Sequence, residues 1–421
     1  MKRHDSTVVL TVLLGVTLLP GLRAQESRAE EVQALREEKA RNLQPDDLSS
    51  LERNLMRLRE GRWIERISEG FGGVRLKVGG MAPGAGFGFG PEYRWQKDPQ
   101  GNLFVRAAAL TSTRRYQKYE FQTGMPHLAG DRLFADFYAV RHDYSSLGYY
   151  GPGPDSNKSG RSNYRLEDVA VDATFGVRPI RHLSIGASAG YVINNVGPGT
   201  DERFISAEQI YSPGQAPGID QQANFLRIGS FVQYDYRDHP DAHKGGNYFA
   251  QYSNYSDRTL GLDDFRRLDV ELQQFIPITN ERRVFALRAR SAMTFQDAGQ
   301  TMPFYFQPSL GGSDDLRGYR PYRFRDNNLV VFNAEYRWQV FSGLDMALFA
   351  DAGKVTHRIS QLNLRELESD AGFGFRFNSR NRTVMRLDFG FSHEGFQVSV
   401  KFNNIFRQGP LHSSSSQREE F

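Results

Sequence analysis

The sequence predicts an all-β protein, a sixteen-stranded antiparallel transmembrane β-barrel with a short N-terminal helical segment. Three observations favour this fold class. The 421 residues are polar on average, with a mean hydropathy of −0.56, yet they include 31 Phe, 19 Tyr and 41 Gly. Apolar and polar residues alternate along many short segments, which places them on opposite faces of strands. Sixteen such segments can be counted, and bacterial single-chain barrels have an even number of strands.

Composition excludes several other classes of protein. Disordered chains are poor in aromatic residues, and past its N-terminus the chain has no run of about 20 apolar residues, the length of a membrane-spanning helix. Because cysteine is absent, disulfide frameworks, thiolate metal sites and cysteine nucleophiles are excluded. The 53 Lys and Arg residues nearly balance the 49 Asp and Glu residues, so nucleic-acid binding is not expected.

The first 70 residues divide into two expected segments. Residues 1–25 have a basic start and an apolar stretch from Val8 to Leu19, which is typical of a signal peptide cleaved near Ala24. An uncleaved anchor is the alternative, although the apolar stretch is short for a membrane span of about 20 residues. Residues 26–70 are rich in Glu, Arg and Leu and predict a helical segment in the periplasm.

The helical segment has an apolar face. Leu48, Leu51, Leu55 and Leu58 recur at spacings of three and four residues, as in an amphipathic helix. Three interpretations remain open, namely packing against the barrel, plugging its lumen, or binding a periplasmic partner through Leu48–Leu58.

Alternation defines the predicted strands, most clearly near the C-terminus, where Phe396, Val398 and Val400 alternate with polar residues. Charged residues recur on the non-apolar face, which predicts a wet, charged lumen, since a small soluble barrel fills its interior with apolar side chains. The barrel is expected over residues 71–406, followed by a flexible tail at 407–421. The predicted strands are 71–79, 86–95, 103–113, 115–123, 132–144, 164–178, 182–196, 225–237, 246–257, 265–276, 283–296, 329–340, 344–353, 370–378, 383–392 and 396–403.

The connections between these strands fall into two sets. Short ones alternate with long ones, and an outer-membrane barrel has short periplasmic turns and long external loops. We therefore expect the protein in the bacterial outer membrane, in contact with its lipid. The short connections are 178–181, 277–281, 342–343 and 378–382, and the long ones include 145–163, 196–223, 297–328 and 354–369.

The longest external connection and the strands beside it carry the most specific motifs. It contains Leu316-Arg317-Gly318-Tyr319, and the next two strands contain Glu335 and the run Phe349-Ala350-Asp351-Ala352-Gly353. Upstream, Asp235-Tyr236-Arg237-Asp238 leads into a turn that closes at Lys244-Gly245-Gly246. Over residues 225–406 this order of motifs resembles the bacterial surface antigen family of outer-membrane assembly barrels, typified by BamA and TamA. The chain looks like a short form without the periplasmic POTRA domains of the assembly hubs.

The resemblance implies that this loop folds back into the lumen and that Arg317 binds Glu335 and Asp351 on the inner wall. Alternation agrees, because the neighbours of both acids are apolar and face lipid. Gly318 is expected to allow a tight loop tip beside Tyr319. The alternative is an ordinary arginine-rich external loop.

Other residues of the same motifs support the resemblance without a predicted contact, namely Phe349, Gly353, Asp235, Arg237 and Asp238. Three further arginines of the loop are expected opposite carboxylates of the wall, namely Arg320, Arg323 and Arg325.

The resemblance also implies a function. Members of that family assist the insertion of outer-membrane proteins or the translocation of polypeptides, without enzymatic activity, cofactor or metal. Their first and last strands, here 71–79 and 396–403, meet in a weak seam, and Gly72, Gly73 and Gly79 are expected to weaken the first of these strands. Client outer-membrane proteins and a periplasmic partner would be the binding partners. The alternative is a passive pore or structural barrel without insertase activity.

Two further motifs do not indicate chemistry. Gly186–Gly190 matches the pattern G-x-S-x-G, but a hydrolase needs the serine on a turn between a strand and a helix, and these residues alternate as one strand. His239 and His243 lack a third metal ligand nearby. The sequence therefore predicts no catalytic and no metal residues.

Overall fold

The computed structural model describes residues 71–98, 102–239, 241–279, 282–341, 343–379 and 382–402. By compactness the chain divides into two units, and all of these residues belong to the second, Leu58–Phe421. The expected signal peptide, the helical segment with Leu48–Leu58, and the tail at 407–421 lie outside the described residues.

Sixteen strands form one antiparallel sheet in which each strand pairs with the next along the chain, so the predicted fold class is confirmed. A separate two-stranded hairpin, in which Ser309 and Leu310 pair with Arg325 and Phe324, lies in the longest connection. Within the described ranges no helix is long and apolar enough to cross a membrane. The strands are β1 Val74–Val78, β2 Gly88–Gln96, β3 Phe104–Ser112, β4 Gln117–Leu128, β5 Leu133–Tyr149, β6 Ser162–Ile180, β7 Leu183–Pro198, β8 Phe225–Asp235, β9 Gly245–Asp257, β10 Phe265–Thr279, β11 Arg283–Gln296, β12 Ser309–Leu310, β13 Phe324–Arg325, β14 Asn328–Phe341, β15 Leu344–Thr356, β16 Glu368–Ser379, β17 Arg382–Ser392 and β18 Gly395–Lys401.

Each of the sixteen predicted strands has a counterpart in the sheet, but the first is shorter than expected. Phe71 bridges back to Val74 through a turn in which Gly72 and Gly73 have φ of +62° and +84°. Gly79 follows the last residue of β1. The expectation that glycines weaken the interior of this strand is therefore wrong, because all three lie outside it.

The lumen carries many charged side chains, and they are buried and paired. Glu120 is an example, with Lys77 Nζ at 2.6 Å, Lys118 Nζ at 3.1 Å and Arg106 Nη1 at 3.4 Å from its carboxylate oxygens. Outward-facing apolar residues alternate with these, as at Phe121 and Tyr119, which are exposed. The polar average of the sequence thus follows from a charged interior.

Aromatic side chains fill the lumen near the long connections. Tyr255 stacks on Phe265 with ring centroids 4.4 Å apart, and Phe304 lies 4.8 Å from Tyr164 and 5.1 Å from Tyr149. We call this buried group the aromatic cap. Short helical turns shape the connections around the barrel mouth, at Lys158–Gly160, Ala207–Ile210, Phe304–Phe306 and Ile359–Gln361.

Candidate functional site

The connection between β11 and β14 folds back on itself as a hairpin. Ser309 and Leu310 pair with Arg325 and Phe324, and the chain between them forms the luminal loop, residues 311–323. Gly311 and Gly312 enter this loop with φ of +106° and +105°, a conformation that only glycine adopts easily. Leu316 is fully buried within an apolar cluster of loop and wall residues. The loop is thereby held inside the barrel.

Arg317 at the tip of the luminal loop is fully buried and pairs with two carboxylates of the wall. Its Nε and Nη2 donate to the two oxygens of Asp351 on β15, each at 2.7 Å. Its Nη1 pairs with Glu335 on β14. Such a forked, charge-assisted arrangement is strong and fixes orientation as well as distance. The loop is therefore joined to two adjacent strands through one side chain.

The two carboxylates are themselves held by neighbouring strands. Asn333 Nδ2 donates to Asp351 at 2.8 Å. Glu335 accepts from Arg337 Nε at 2.6 Å and from Arg376 Nη2 on β16 at 2.8 Å. Arg376 also pairs with Asp388 on β17. A buried charge is tolerated when opposite charges and hydrogen-bond partners surround it. The network that surrounds Asp351 and Glu335 in this way extends over four strands, β14 to β17.

Phe349 completes the environment of Arg317. The ring of this inward-facing residue lies 3.6 Å from the guanidinium carbon, in the geometry of a cation–π contact. Burial lowers the pKa of Arg317, but Asp351 and Glu335 outweigh this and hold the pKa above its ordinary value. Arg317 consequently carries its charge at neutral pH.

Gly318 lies against the wall with no room for a side chain. A Cβ on Gly318 would be 2.6 Å from the Cβ of Asp370, and Ser392 Oγ donates to the Gly318 carbonyl at 2.9 Å. Its φ is not positive, unlike those of Gly311 and Gly312. The requirement for glycine is thus close approach to the wall. The expected tight turn at the loop tip is present, because the Tyr319 N–H donates to the Leu316 carbonyl at 3.2 Å and makes Arg317 and Gly318 its central residues.

Tyr319 and the other loop arginines have different partners. The Tyr319 hydroxyl donates to Glu368 at 2.7 Å. Arg323 pairs with Glu394 at 2.8 Å, in the connection between β17 and β18, and Arg325 donates to the Tyr164 hydroxyl at 2.9 Å. No carboxylate in the described part of the chain pairs with Arg320. The expectation that these arginines face wall carboxylates is therefore wrong for Arg320 and Arg325, whereas Arg323 pairs with a carboxylate that lies in a connection and not on the wall.

The remaining motif residues divide between two places. Gly353 on β15 lies beside the β12–β13 hairpin, since a Cβ there would be 3.2 Å from Leu310 Cδ1. Asp235, Arg237 and Asp238 lie at the opposite, short-connection side: Arg237 pairs with Asp235 at 2.6 Å, and Asp238 Oδ1 accepts from the backbone of the β8–β9 turn. They shape a turn and do not contact Arg317.

Several residues of the site are not among the predicted ones. Arg376 and Asp388 belong to the charge network, Gly390 packs against the loop, and Asp370 is the cross-strand partner of Asp351. The alternation of β16 and β17 places all four at inward-facing positions, and this is the only indication that the sequence gives of their role. Among the described residues, no group of three or more His, Asp or Glu side chains is arranged to hold a metal ion.

The two edges of the sheet meet at a gap. Between β18 and the described chain from Phe71 to Gly88 there is no backbone hydrogen bond. Side chains bridge the two edges instead: the Phe87 and Phe402 rings are 5.4 Å apart, and Lys401 Nζ donates to the Met81 carbonyl at 3.4 Å. We call this region the seam.

A cavity of about 520 Å³ lies at the seam. It is bounded by the glycine-rich segment Gly79–Gly88, by the edge of β18, and by Arg317 and Tyr319 of the luminal loop. We call it the seam cavity. The luminal loop and the seam are thus one connected site.

The chain matches one protein family and several solved structures. Residues 101–403 match the family described as the Omp85 superfamily domain. No curated protein shows a significant match. Among solved structures, the chain is similar to BamA from Haemophilus ducreyi lacking POTRA domains 1–3, with a TM-score of 0.57, 14% identity, and 78% of this chain and 69% of that chain covered. It is also similar to CdiB from Escherichia coli, with a TM-score of 0.53, 13% identity, and 78% and 61% of the two chains covered.

Proposed function

Because this chain belongs to the Omp85 superfamily, we propose that it assists the insertion of other β-barrel proteins into the outer membrane or the translocation of polypeptides across it. The observation that carries this proposal is the seam. At low identity, the likeness to BamA and CdiB extends to the fold alone, so the argument for activity rests on this chain's own residues.

The edge of β18 is suited to pair with an incoming strand. Its backbone groups have no sheet partner on the side of the seam within the described residues. An exposed strand edge binds extended segments by β-augmentation, in which backbone hydrogen bonds give affinity and side-chain pockets give specificity. The glycines of Gly79–Gly88 leave space beside this edge, and the seam cavity is that space.

We propose that the luminal loop positions the wall next to the seam. Arg317 binds β14 and β15 and, through Glu335 and Arg376, is connected to β16 and β17, which carry β18. A wall held in this way keeps one edge fixed while the opposite edge, formed by the short strand β1, moves. In this proposal Arg317, Glu335 and Asp351 act by positioning, and no residue acts as a catalyst.

The location that we propose is the bacterial outer membrane, with its lipid and client barrel proteins as partners. Support comes from the exposed apolar side chains on alternating strand positions, such as Ile228, Leu272 and Leu348. A passive pore is less well supported, because the aromatic cap and the luminal loop occupy the lumen. The periplasmic partner expected through Leu48–Leu58 remains a separate proposal, since those residues lie outside the described ones.

Reconstitution tests the proposal. The full chain is incorporated into liposomes of phosphatidylethanolamine and phosphatidylglycerol, and the insertion of an unfolded eight-stranded client barrel is followed by protease protection and heat-modifiable mobility. Insertion faster than into protein-free liposomes supports the proposal. Ion conductance without any acceleration of client insertion would instead indicate a pore.

A further inference from the structure

Three arginines from three different external connections line the seam cavity. Arg114 follows β3, Arg161 precedes β6, and Arg320 belongs to the luminal loop. None of them forms an ion pair within the described part of the chain. The other loop arginines, Arg317 and Arg323, are each paired with carboxylates. Three arginines at one cavity without counter-charges require an explanation.

Arg320 and Arg161 contact aromatic side chains. Arg320 hydrogen-bonds the side chain of Tyr150, and the Arg161 guanidinium lies 3.9 Å from the centre of the Phe204 ring. The Nε–H of Arg161 is buried and has no hydrogen-bond acceptor. A buried donor without an acceptor costs free energy unless a ligand or water supplies one. An anion in the cavity would satisfy this donor.

The charges around Arg161 also favour an anion in the cavity. Burial lowers the pKa of Arg161, and the charges of Arg320 and Arg114 lower it further, although Tyr150 and Asp201 act in the opposite direction. Asp201 is already engaged, since both of its oxygens accept from Arg203, at 2.8 and 2.7 Å. The charges of Arg320 and Arg114 therefore repel that of Arg161, and the carboxylate that offsets them, Asp201, is shared with Arg203.

The cavity is continuous with the lipid side of the barrel. Its lining includes Val398 and Val400, which face outward with about half of each side chain exposed, and also the inward-facing Lys401. Both faces of β18 contribute because the sheet is interrupted at the seam. A molecule in the bilayer can thus reach the arginines while its apolar part stays among lipid-facing residues.

We propose that Arg114, Arg161 and Arg320 bind the phosphate group of an outer-leaflet lipid whose headgroup enters the seam cavity. The arginine fork matches phosphate oxygens in a bidentate manner, and a cavity of about 520 Å³ is within the range of small-molecule sites. A lipid is favoured over an acidic polypeptide because the cavity opens onto outward-facing valines. This inference rests on the proposed outer-membrane location, but it does not depend on client insertion.

Binding of defined lipids tests the inference. The purified full chain in a non-ionic detergent is titrated with diphosphorylated lipid A, with the same lipid after removal of both phosphates, and with inorganic phosphate, and bound lipid is counted by native mass spectrometry. We expect preference for the phosphorylated lipid and, in the triple variant Arg114→Gln, Arg161→Gln, Arg320→Gln, a loss of affinity of about tenfold or more, since several charge-assisted hydrogen bonds disappear.

A charge-matched control separates the site from general attraction. Arg258, Arg358 and Arg365 are exposed on external connections and do not line the cavity, so their replacement by Gln should leave lipid affinity within about twofold, as exposed charges contribute little. Equal losses in both triple variants, equal binding of the phosphate-free lipid, or binding of inorganic phosphate alone would overturn the inference. Displacement of bound lipid by an acidic peptide, in preference to lipid, would assign the site to polypeptides instead.

Discussion

Gly318 of the luminal loop and Gly390 of β17 lie backbone against backbone. A Cβ added to Gly390 would be 2.7 Å from the Gly318 amide nitrogen and 2.6 Å from the carbonyl carbon of Arg317. Real Cβ contacts do not become this short, so the loop tip fits its place on the wall only because both positions lack a side chain. Arg317 reaches Asp351 and Glu335 from that place, and the ion pairs therefore depend on two glycines as well as on charge.

Replacing Gly318 by Ala should loosen the loop. Its Cβ would meet Asp370 Cβ at 2.6 Å, and overpacking of this kind costs about 1–3 kcal/mol. The expected result is a lower midpoint in urea unfolding followed by heat-modifiable mobility. Gly214→Ala is the matched control, because that loop glycine has open space around it. Equal midpoints for the two variants would contradict the close packing described.

Arg317→Met should destabilise the barrel more strongly than the loss of an exposed arginine. The substitution leaves Asp351 and Glu335 buried without their shared cation, and breaking a buried pair costs about 3–5 kcal/mol. Arg317→Lys should recover only part of this, since an ammonium lacks the forked geometry. Unfolding in urea gives the free energy of unfolding of the unaltered chain, of Arg317→Met and of Arg317→Lys. Arg358→Met on an external connection serves as control, and an effect no larger than that of the control would refute the assignment.

Conductance tests whether the loop and the aromatic cap obstruct the lumen. Replacing residues 311–323 by a short Gly-Asn turn removes the Arg317 contacts but keeps the β12–β13 pairing. In planar lipid bilayers we expect low conductance for the unaltered chain and larger, more frequent openings for the shortened one. If the unaltered chain already conducts like an open pore, the lumen is not obstructed and the passive-pore alternative gains support.

Much of the fold follows from local patterns in the sequence. Strands such as β11 and β17 agree with the predicted ranges to within one residue, because alternation of lipid-facing and inward residues is a local property. The same alternation places Glu335 and Asp351 inward. The proximity of Arg317 to them came from the family resemblance, since a loop that folds into a lumen leaves no periodic signal.

Other features depend on packing over long sequence distances. Nothing local indicates that Arg323 reaches Glu394, 71 residues away, or that Arg320 has no carboxylate partner. The aromatic cap likewise has no local signal, because Phe304 reaches Tyr149 of β5 only when the connection between β11 and β14 folds over the lumen. The turn at Gly72 and Gly73 shortens β1 through positive φ values, which the alternation of neighbouring residues does not reveal.

The most direct test of the account is to lock the seam. The chain has no cysteine, and a Cβ at position 79 would be 3.0 Å from the Cβ of Phe402. A small local shift at Gly79, where φ is +87°, brings Gly79→Cys and Phe402→Cys to the Cβ separation of a disulfide, about 3.5–4.5 Å, and joins the two edges across the gap. Val78→Cys with Phe89→Cys is the matched control, because these residues are already cross-strand partners within β1 and β2.

Client insertion into liposomes is the measurement. The account predicts that the oxidised seam variant loses the acceleration of insertion, that reduction restores it, and that the β1–β2 control is active in both states. Full activity of the oxidised seam variant would contradict the central claim, because the free edge of β18 would then not be the site at which an incoming strand pairs.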